Sequence, residues 1–188
     1  MFSYDHMTDI IVTVLVVFQG LLLVAAAFMI AWLTYLIAVP GLAGGPPFVT
    51  TKDAQAGTMA ALAGLRPGET IVDLGSGDGR LLVAAAKAGC LAVGYEINVF
   101  LVLWSRFSAM RHGVSRRVRV RWGNFWKADL SRADVVMVFG FDGIMERLGS
   151  KFAAELRPGA RVVAHRYPLP GWRPIAEEGR VFLYRKEA

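Results

Sequence analysis

The stretch IVDLGSGDGR, residues 71–80, decides how this chain folds. An apolar run that ends in an acid, then glycines at 75, 77 and 79, then a helical pattern, is how a nucleotide-binding strand–loop–helix unit begins. In a dinucleotide-binding unit the glycines are spaced G-x-G-x-x-G and a pyrophosphate rests on the helix N-terminus. Here the spacing is G-x-G-x-G, and Asp73 stands two residues before the first glycine. Both differences fit S-adenosyl-L-methionine, which has no phosphate to seat and carries an amino group and a sulfonium whose positive charges favour nearby carboxylates. The glycines let the backbone approach such a ligand, and Asp73 and Asp78 put negative charge beside it.

Downstream, strands and helices alternate. ETIVDL is followed by a helix from about 79 to 88, LAVGYEI, a helix from about 99 to 112, and VRVRWGN. ADVVMVFG, a helix from about 143 to 156, and ARVVAHRYPL complete the series. Strands separated by helix-length segments imply right-handed crossovers and a parallel sheet with helices on both faces. RPIAEEG and RVFLYRK then follow one another with no room for a helix, so the chain ends in an antiparallel hairpin. The expected fold is α/β, a seven-strand Rossmann-like sheet closed by that hairpin.

Strand ends supply the other candidate ligands. Glu96 ends the second strand, where an acid accepts hydrogen bonds from both ribose hydroxyls, as it also does in NAD enzymes. At the third strand's end, Asn124 is placed to bond an adenine amino group and Phe125 to cover the ring, although Phe125 and Trp126 are equally core-type aromatics.

Ahead of this unit, residues 10–39 contain no charged side chain. Thirty such residues make about 45 Å of helix, beyond the roughly 30 Å hydrocarbon core of a bilayer. A cleaved signal peptide wants a basic start, whereas residues 1–9 hold Asp5 and Asp9 and no Lys or Arg. A core helix would be amphipathic, whereas only Thr13, Gln19 and Thr34 interrupt the apolar surface here. The reading is one transmembrane helix, 10–39, within an N-terminal segment 1–39.

All 21 basic residues follow it, against 13 of the 15 acids, so residues 40–188 carry a formal +8 and face the cytoplasm. The bacterial inner membrane is favoured over the mitochondrial one. PGLAGGPPFVTT, 40–51, is read as a linker whose Pro and Gly stop the helix, and 52–188 as the catalytic domain, opening with a helix over 52–65. Arg117, Arg119 and Arg121 share one face of the third strand, where they either protect a sheet edge or meet anionic lipid. Cys90 has no partner for a disulfide, and His6, His112 and His165 show no metal-ligand spacing, so no metal is expected.

DLGSGDGR, GYEIN, LVLWSR, GNFWK, VFG and ARVVAHRYPLPGW together resemble the membrane-tethered seven-strand lysine methyltransferases, whose eukaryotic relatives modify the c-type ring protein of ATP synthase and the adenine nucleotide translocase. PFVTT resembles that family's segment before the methyltransferase domain. The resemblance implies a class I methyltransferase sheet. It also implies a cofactor-binding set of Thr50, Asp73, Gly75, Ser76, Gly77, Asp78, Gly79, Glu96, Asn98, Asn124, Phe125, Trp126 and Phe139.

Catalytic candidates lie where the fourth and fifth strands end: Phe139, Phe141 and Asp142, and across from them His165, Arg166 and Tyr167. Asp142 either accepts an amine proton or caps a helix, and His165 is either a base or a strand residue. A free lysine is neutral about one time in 2,500 at pH 7, so such a site must favour the amine. Two departures stand out: Asn124 where many relatives have Asp, and FGFDGI where relatives carry a Pro after FG. The expected partners are a membrane-protein substrate and the bilayer. Nucleic acid is disfavoured, with an RNA methyltransferase and a non-catalytic cofactor-binding scaffold as the alternatives.

Overall fold

The structure, a computed structural model, describes residues 4–42 and 53–187, with side chains at 8–35 and 55–187. It forms two compact units divided between Ala38 and Val39. The first is α1, Tyr4–Leu42. Its segment Thr8–Tyr35 is exposed and, by length and composition, apolar enough to cross a membrane. The helix continues through Pro40, where the sequence reading ends it. A missing N–H this close to the C-terminus frees a carbonyl that a helix end leaves free anyway. The remainder of the expected linker, with Thr50, lies outside the described residues.

The second unit opens with α2, Asp53–Ala63, and then alternates: β1 Thr70–Leu74, α3 Arg80–Lys87, β2 Leu91–Glu96, α4 Val99–Arg111 and β3 Val118–Trp122. A 3₁₀ turn at Phe125–Lys127 precedes β4 Val135–Phe139, α5 Asp142–Glu155, β5 Arg161–His165, β6 Ala176–Glu178 and β7 Val181–Arg185. The sheet order is β3-β2-β1-β4-β5-β7-β6. Strands β1 to β5 pair in parallel, and β7 runs antiparallel to both β5 and β6. The expected crossovers and the terminal hairpin are therefore both present.

Strand β4 reads VVMVF and is buried from Val135 to Val138, as a central parallel strand covered on both faces must be. Period-two alternation divides β1 between two cores. Ile71 joins Met59, Leu82 and Val163 on one face, while Val72 and Leu74 join Met145, Leu148 and Phe152 on the other. Burying a side chain such as Phe152 stabilises the unit by about 1.5–3 kcal/mol. At the amino end of the sheet, Arg161 donates to both carboxylate oxygens of Glu69 at 2.6 Å and to the carbonyls of Ala63 and Gly64 at 2.6 and 2.8 Å, fastening the end of α2 to β5.

The opposite edge opens at β1, where the chain has strands on either side and ligands bind in open α/β sheets. There the glycine loop is held against β2: the N–H groups of Gly75 and Ser76 both donate to the Tyr95 carbonyl, at 2.9 and 3.0 Å. Gly75 and Gly77 have φ of 86° and 53°, a left-handed backbone that side chains resist. Inside β2, a Cβ on Gly94 would lie 2.5 Å from Ser76 Oγ and 2.6 Å from Leu82 Cδ1.

That contact predicts that Gly94→Ala forces the loop off the sheet, at a cost of about 1–3 kcal/mol. The control is Gly57→Ala in α2, where nothing stands within 4 Å and the helix gains up to about 1 kcal/mol. Denaturant unfolding should move the two midpoints in opposite directions; equal midpoints would show that Gly94 is not a packing constraint.

Candidate active site

Asp73, one residue before the end of β1, is buried and accepts no hydrogen bond among the described residues. Burial, then the nearby charges of Glu96 and Asp78, push its carboxyl up to about 7. Glu96 is also buried, but its oxygens are matched: Oε2 accepts from the Gly77 N–H at 2.9 Å and Oε1 from the Asn98 N–H at 2.8 Å. Each oxygen keeps a second lone pair for a ligand hydroxyl. Ser76 Oγ, buried beside Gly94 at the loop, has no partner among the described residues.

Asp78 differs from the sequence reading. The Arg80 Nε lies 3.0 Å from each of its carboxylate oxygens and Nη2 2.5 Å from Oδ2, so this charge is paired within the loop rather than offered to a ligand. Asn98 differs as well. Its Oδ1 accepts from the Phe100 and Leu101 N–H groups at 3.0 and 3.4 Å, capping α4, so the side chain serves the helix. Asn124 caps the 3₁₀ turn, its Oδ1 accepting from the Trp126 N–H at 3.0 Å. Phe125 and Trp126 stack at 4.9 Å and are half-buried against the second core, with the Arg147 guanidinium 4.0 Å over the Trp126 ring.

On the other side of the opening, Phe139 and His165 are paired residues of β4 and β5, their rings edge to face at 4.7 Å. His165 is buried, its Nδ1 has no partner among the described residues, and burial followed by Arg166 and Arg180 lowers its pKa. The imidazole is therefore neutral at pH 7.

Phe141 is the N-cap residue of α5 and offers no side-chain cap. Asp142 is the first helical residue, so the capping role considered for it does not occur. Tyr167 sits between Arg166 and Arg180, whose guanidinium carbons stand 5.7 and 5.9 Å from its ring centre. Arg166 holds a φ of 77°, fixed by its N–H donating to the Arg180 carbonyl at 2.6 Å. The sequence reading missed Gly94 and Ser105, which back the loop: a Cβ on Gly79 would collide with the Ser105 side chain. A glycine inside a strand pattern was the available signal for Gly94.

A buried, unmatched carboxylate facing a glycine cradle, opposite an aromatic wall, is a site for a cationic ligand. The model of the ANTKMT methyltransferase domain matches residues 73–176, from that carboxylate to the start of β6. The chain belongs to this family.

It is 43% identical over 128 residues to the Xenopus laevis lysine N-methyltransferase of the ATP synthase c-type ring protein, covering 68% of this chain and 56% of that one. It is 41% identical over 143 residues to the mouse adenine nucleotide translocase lysine N-methyltransferase, covering 73% and 62%. The chain thus spans little more than half the length of these relatives. Among solved structures, an RNA methyltransferase from Salinibacter ruber in complex with S-adenosyl-L-homocysteine aligns with a TM-score of 0.68 at 33% identity, covering 73% of this chain and 92% of that one. The bound S-adenosylhomocysteine there agrees with the cofactor expected from the glycine spacing.

The raised Asp73 has a testable sign. Between about 3.8, its ordinary value, and about 7, the folded state holds a proton that the unfolded chain has released, so stability falls as pH rises through that window. Asp73→Asn removes the penalty. It should stabilise the fold at pH 8 by an amount on the order of a few kcal/mol, change it little at pH 3, and abolish S-adenosylhomocysteine binding in calorimetry. A variant equally stable to the parent at pH 8, or one that still binds, contradicts this account.

Proposed function

We propose that this chain is a membrane-anchored methyltransferase that transfers a methyl group from S-adenosylmethionine to the Nε of a lysine on an integral membrane protein. The observation that carries the reading is Asp73, a buried carboxylate without a hydrogen-bond donor among the described residues, next to a loop whose glycines leave room for a ligand. The donor set fits the cofactor. When bound, S-adenosylmethionine supplies a sulfonium-activated methyl, and the residues to hold it are Asp73, the glycine loop 75–79, Glu96, Asn124 and Phe125.

Asp73 balances the ligand's positive charge, and Glu96 accepts from ribose hydroxyls with lone pairs not taken by Gly77 and Asn98. Phe139, Phe141, His165 and Tyr167 form the wall against which a lysine side chain enters, and their rings exclude water. The guanidinium groups of Arg166 and Arg180 flank that wall and disfavour an ammonium near it, so they bias the incoming lysine toward the neutral amine. His165, neutral and with an unpartnered nitrogen, is the group to take a hydrogen bond or proton from the amine.

Anchoring rests on α1, one apolar helix with its basic residues all on the C-terminal side, which sets the domain in the cytoplasm. The lysine reading is supported by relatives named for lysines on the ATP synthase ring protein and the adenine nucleotide translocase. An RNA substrate is the second reading, favoured by the Salinibacter structure and the formal +8 of residues 40–188.

Incubating the full chain with radiolabelled S-adenosylmethionine and membranes from cells lacking its gene should label one membrane protein, with the methyl mapping to lysine by mass spectrometry. Glu96→Gln should reduce that labelling by at least about ten-fold, the effect of losing about 1.4 kcal/mol of binding. Label recovered in RNA would establish the second reading instead, and unchanged labelling in the Glu96 variant would remove Glu96 from the site.

A further inference from the structure

Helix α4 is apolar on both sides. Val102, Ser105 and Ala109 face the sheet and are buried, as packing requires. On the opposite side Phe100, Leu103, Trp104, Phe107 and Met110 recur at helical spacing and are 44–61% exposed. A helix lying on a sheet should turn a polar face outward, and one that is apolar all round is normally covered on both sides. The stripe extends to Trp122 at the end of β3, 67% exposed, whose Nε1 donates to the Ile97 carbonyl at 2.8 Å, just ahead of the helix. Along it, Trp104 and Phe107 stand with ring centres 6.0 Å apart, and the Arg111 guanidinium lies 5.9 Å from the Phe107 ring.

The surrounding charge is of one sign. Between Glu96 and Asp129 the chain contains seven basic residues and no acid. Six are arginines, at 106, 111, 116, 117, 119 and 121.

We propose that the outer face of α4, with Trp122 and the adjoining arginines, seats on the surface of an anionic bilayer. Exposed aromatics beside clustered cations are the composition of interfacial membrane contacts: the rings enter the headgroup boundary while the cations meet lipid phosphates. A second copy of this chain does not fit, because a two-fold contact through this face would bring two all-basic segments together. α1 does not fit either, because its uncharged span 10–39 offers nothing to the arginines. The inference rests on the anchoring reading in that α1 brings the domain to lipid. Ten residues, 43–52, connect Leu42 to Asp53 and span at most about 35 Å when extended, so the domain stays within reach of the bilayer surface. Docking on α4 would then limit how the domain can rotate on that short connection, presenting the site to lysines at a fixed height.

The test uses the full chain, with an environment-sensitive fluorophore on Phe107→Cys, reconstituted into vesicles of phosphatidylcholine alone or mixed with phosphatidylglycerol. The native Cys90 is fully buried and remains unlabelled. Flotation with phosphatidylcholine vesicles reads anchoring by α1. Brominated acyl chains read lipid contact at α4.

In mixed vesicles the emission should shift to the blue and be quenched by brominated lipid. The quenching should be lost at about 1 M salt, where the Debye length falls to about 3 Å, while a label on Glu146→Cys in α5 stays unquenched. Arg116→Ser with Arg119→Ser should weaken the quenching while S-adenosylhomocysteine binding is retained, which establishes that the fold is intact. Quenching in mixed vesicles without flotation on phosphatidylcholine would uphold the docking face and reject the anchor. The proposal is overturned by an unquenched label on floated protein, or by quenching equal in both lipids. A blue shift without bromide quenching, or one that vanishes on dilution below one chain per vesicle, assigns the face to a protein partner or a second copy and overturns it too.

Discussion

Two carboxylates buried at the ends of adjacent strands constrain everything around them. Asp73 lies at the end of β1 and Glu96 closes β2, and only Glu96 has backbone N–H groups to offset the loss of water. A buried acid without a donor costs the fold free energy, so the surrounding structure must be able to bear it. The continuous apolar core on both faces of β1 and β4 supplies that tolerance. The same expense makes the site selective: a ligand carrying positive charge relieves it, whereas a phosphate would add to it. The glycine loop thus parts from the dinucleotide design in electrostatics as well as in spacing, and its N–H groups turn toward Tyr95 and Glu96 instead of an anion.

The sheet was legible because its signals are redundant. Each strand is a short apolar run, each helix fills a crossover, and the hairpin follows from the lack of space between RPIAEEG and RVFLYRK. Asp73, Glu96, Phe139 and His165 were legible for a related reason, since each stands at the end of a strand and parallel strands bring their ends together. The misreadings concern residues whose role depends on one neighbouring backbone group. Asn98 and Asp142 both sit at helix starts, and only the local dihedrals decide that Asn98 caps α4 while Asp142, one residue further in than Phe141, caps nothing. Asp78 read as a free charge because its partner, Arg80, is two residues away on a turn whose shape is set by three left-handed glycines. Pro40 misled because its cost depends on how near the helix end it falls.

Helix α4 shows a different limit. Its segment VFLVLWSRFSAMR is apolar at nearly every position, so no periodicity separates the side that faces the sheet from the side that does not. Only the packed structure identifies Val102, Ser105 and Ala109 as the inner face and leaves three aromatics outside. Ser105 also explains why this helix cannot be rotated to hide them. Its side chain fills the space left by Gly79 at the start of α3, so turning α4 would place a larger residue against the loop that holds the ligand.

Charge is distributed along the opening in a way that matches the two reactants of the proposed chemistry. At β1 and β2 the side chains are carboxylates, where a cationic ligand belongs; at β4 and β5 they are aromatic rings, a neutral imidazole and two guanidinium groups. A carboxylate beside the lysine would strengthen substrate binding, yet it would stabilise the ammonium and so withhold the lone pair that must attack. Asp142 is the one acid in that region and it is exposed at the start of α5, where water and the helix dipole already satisfy it. The strained backbone at Arg166 becomes intelligible on this view. Its left-handed φ turns the chain directly after His165, so that Arg166 and Arg180 both stand over Tyr167, holding positive charge at the side from which an amine must arrive uncharged.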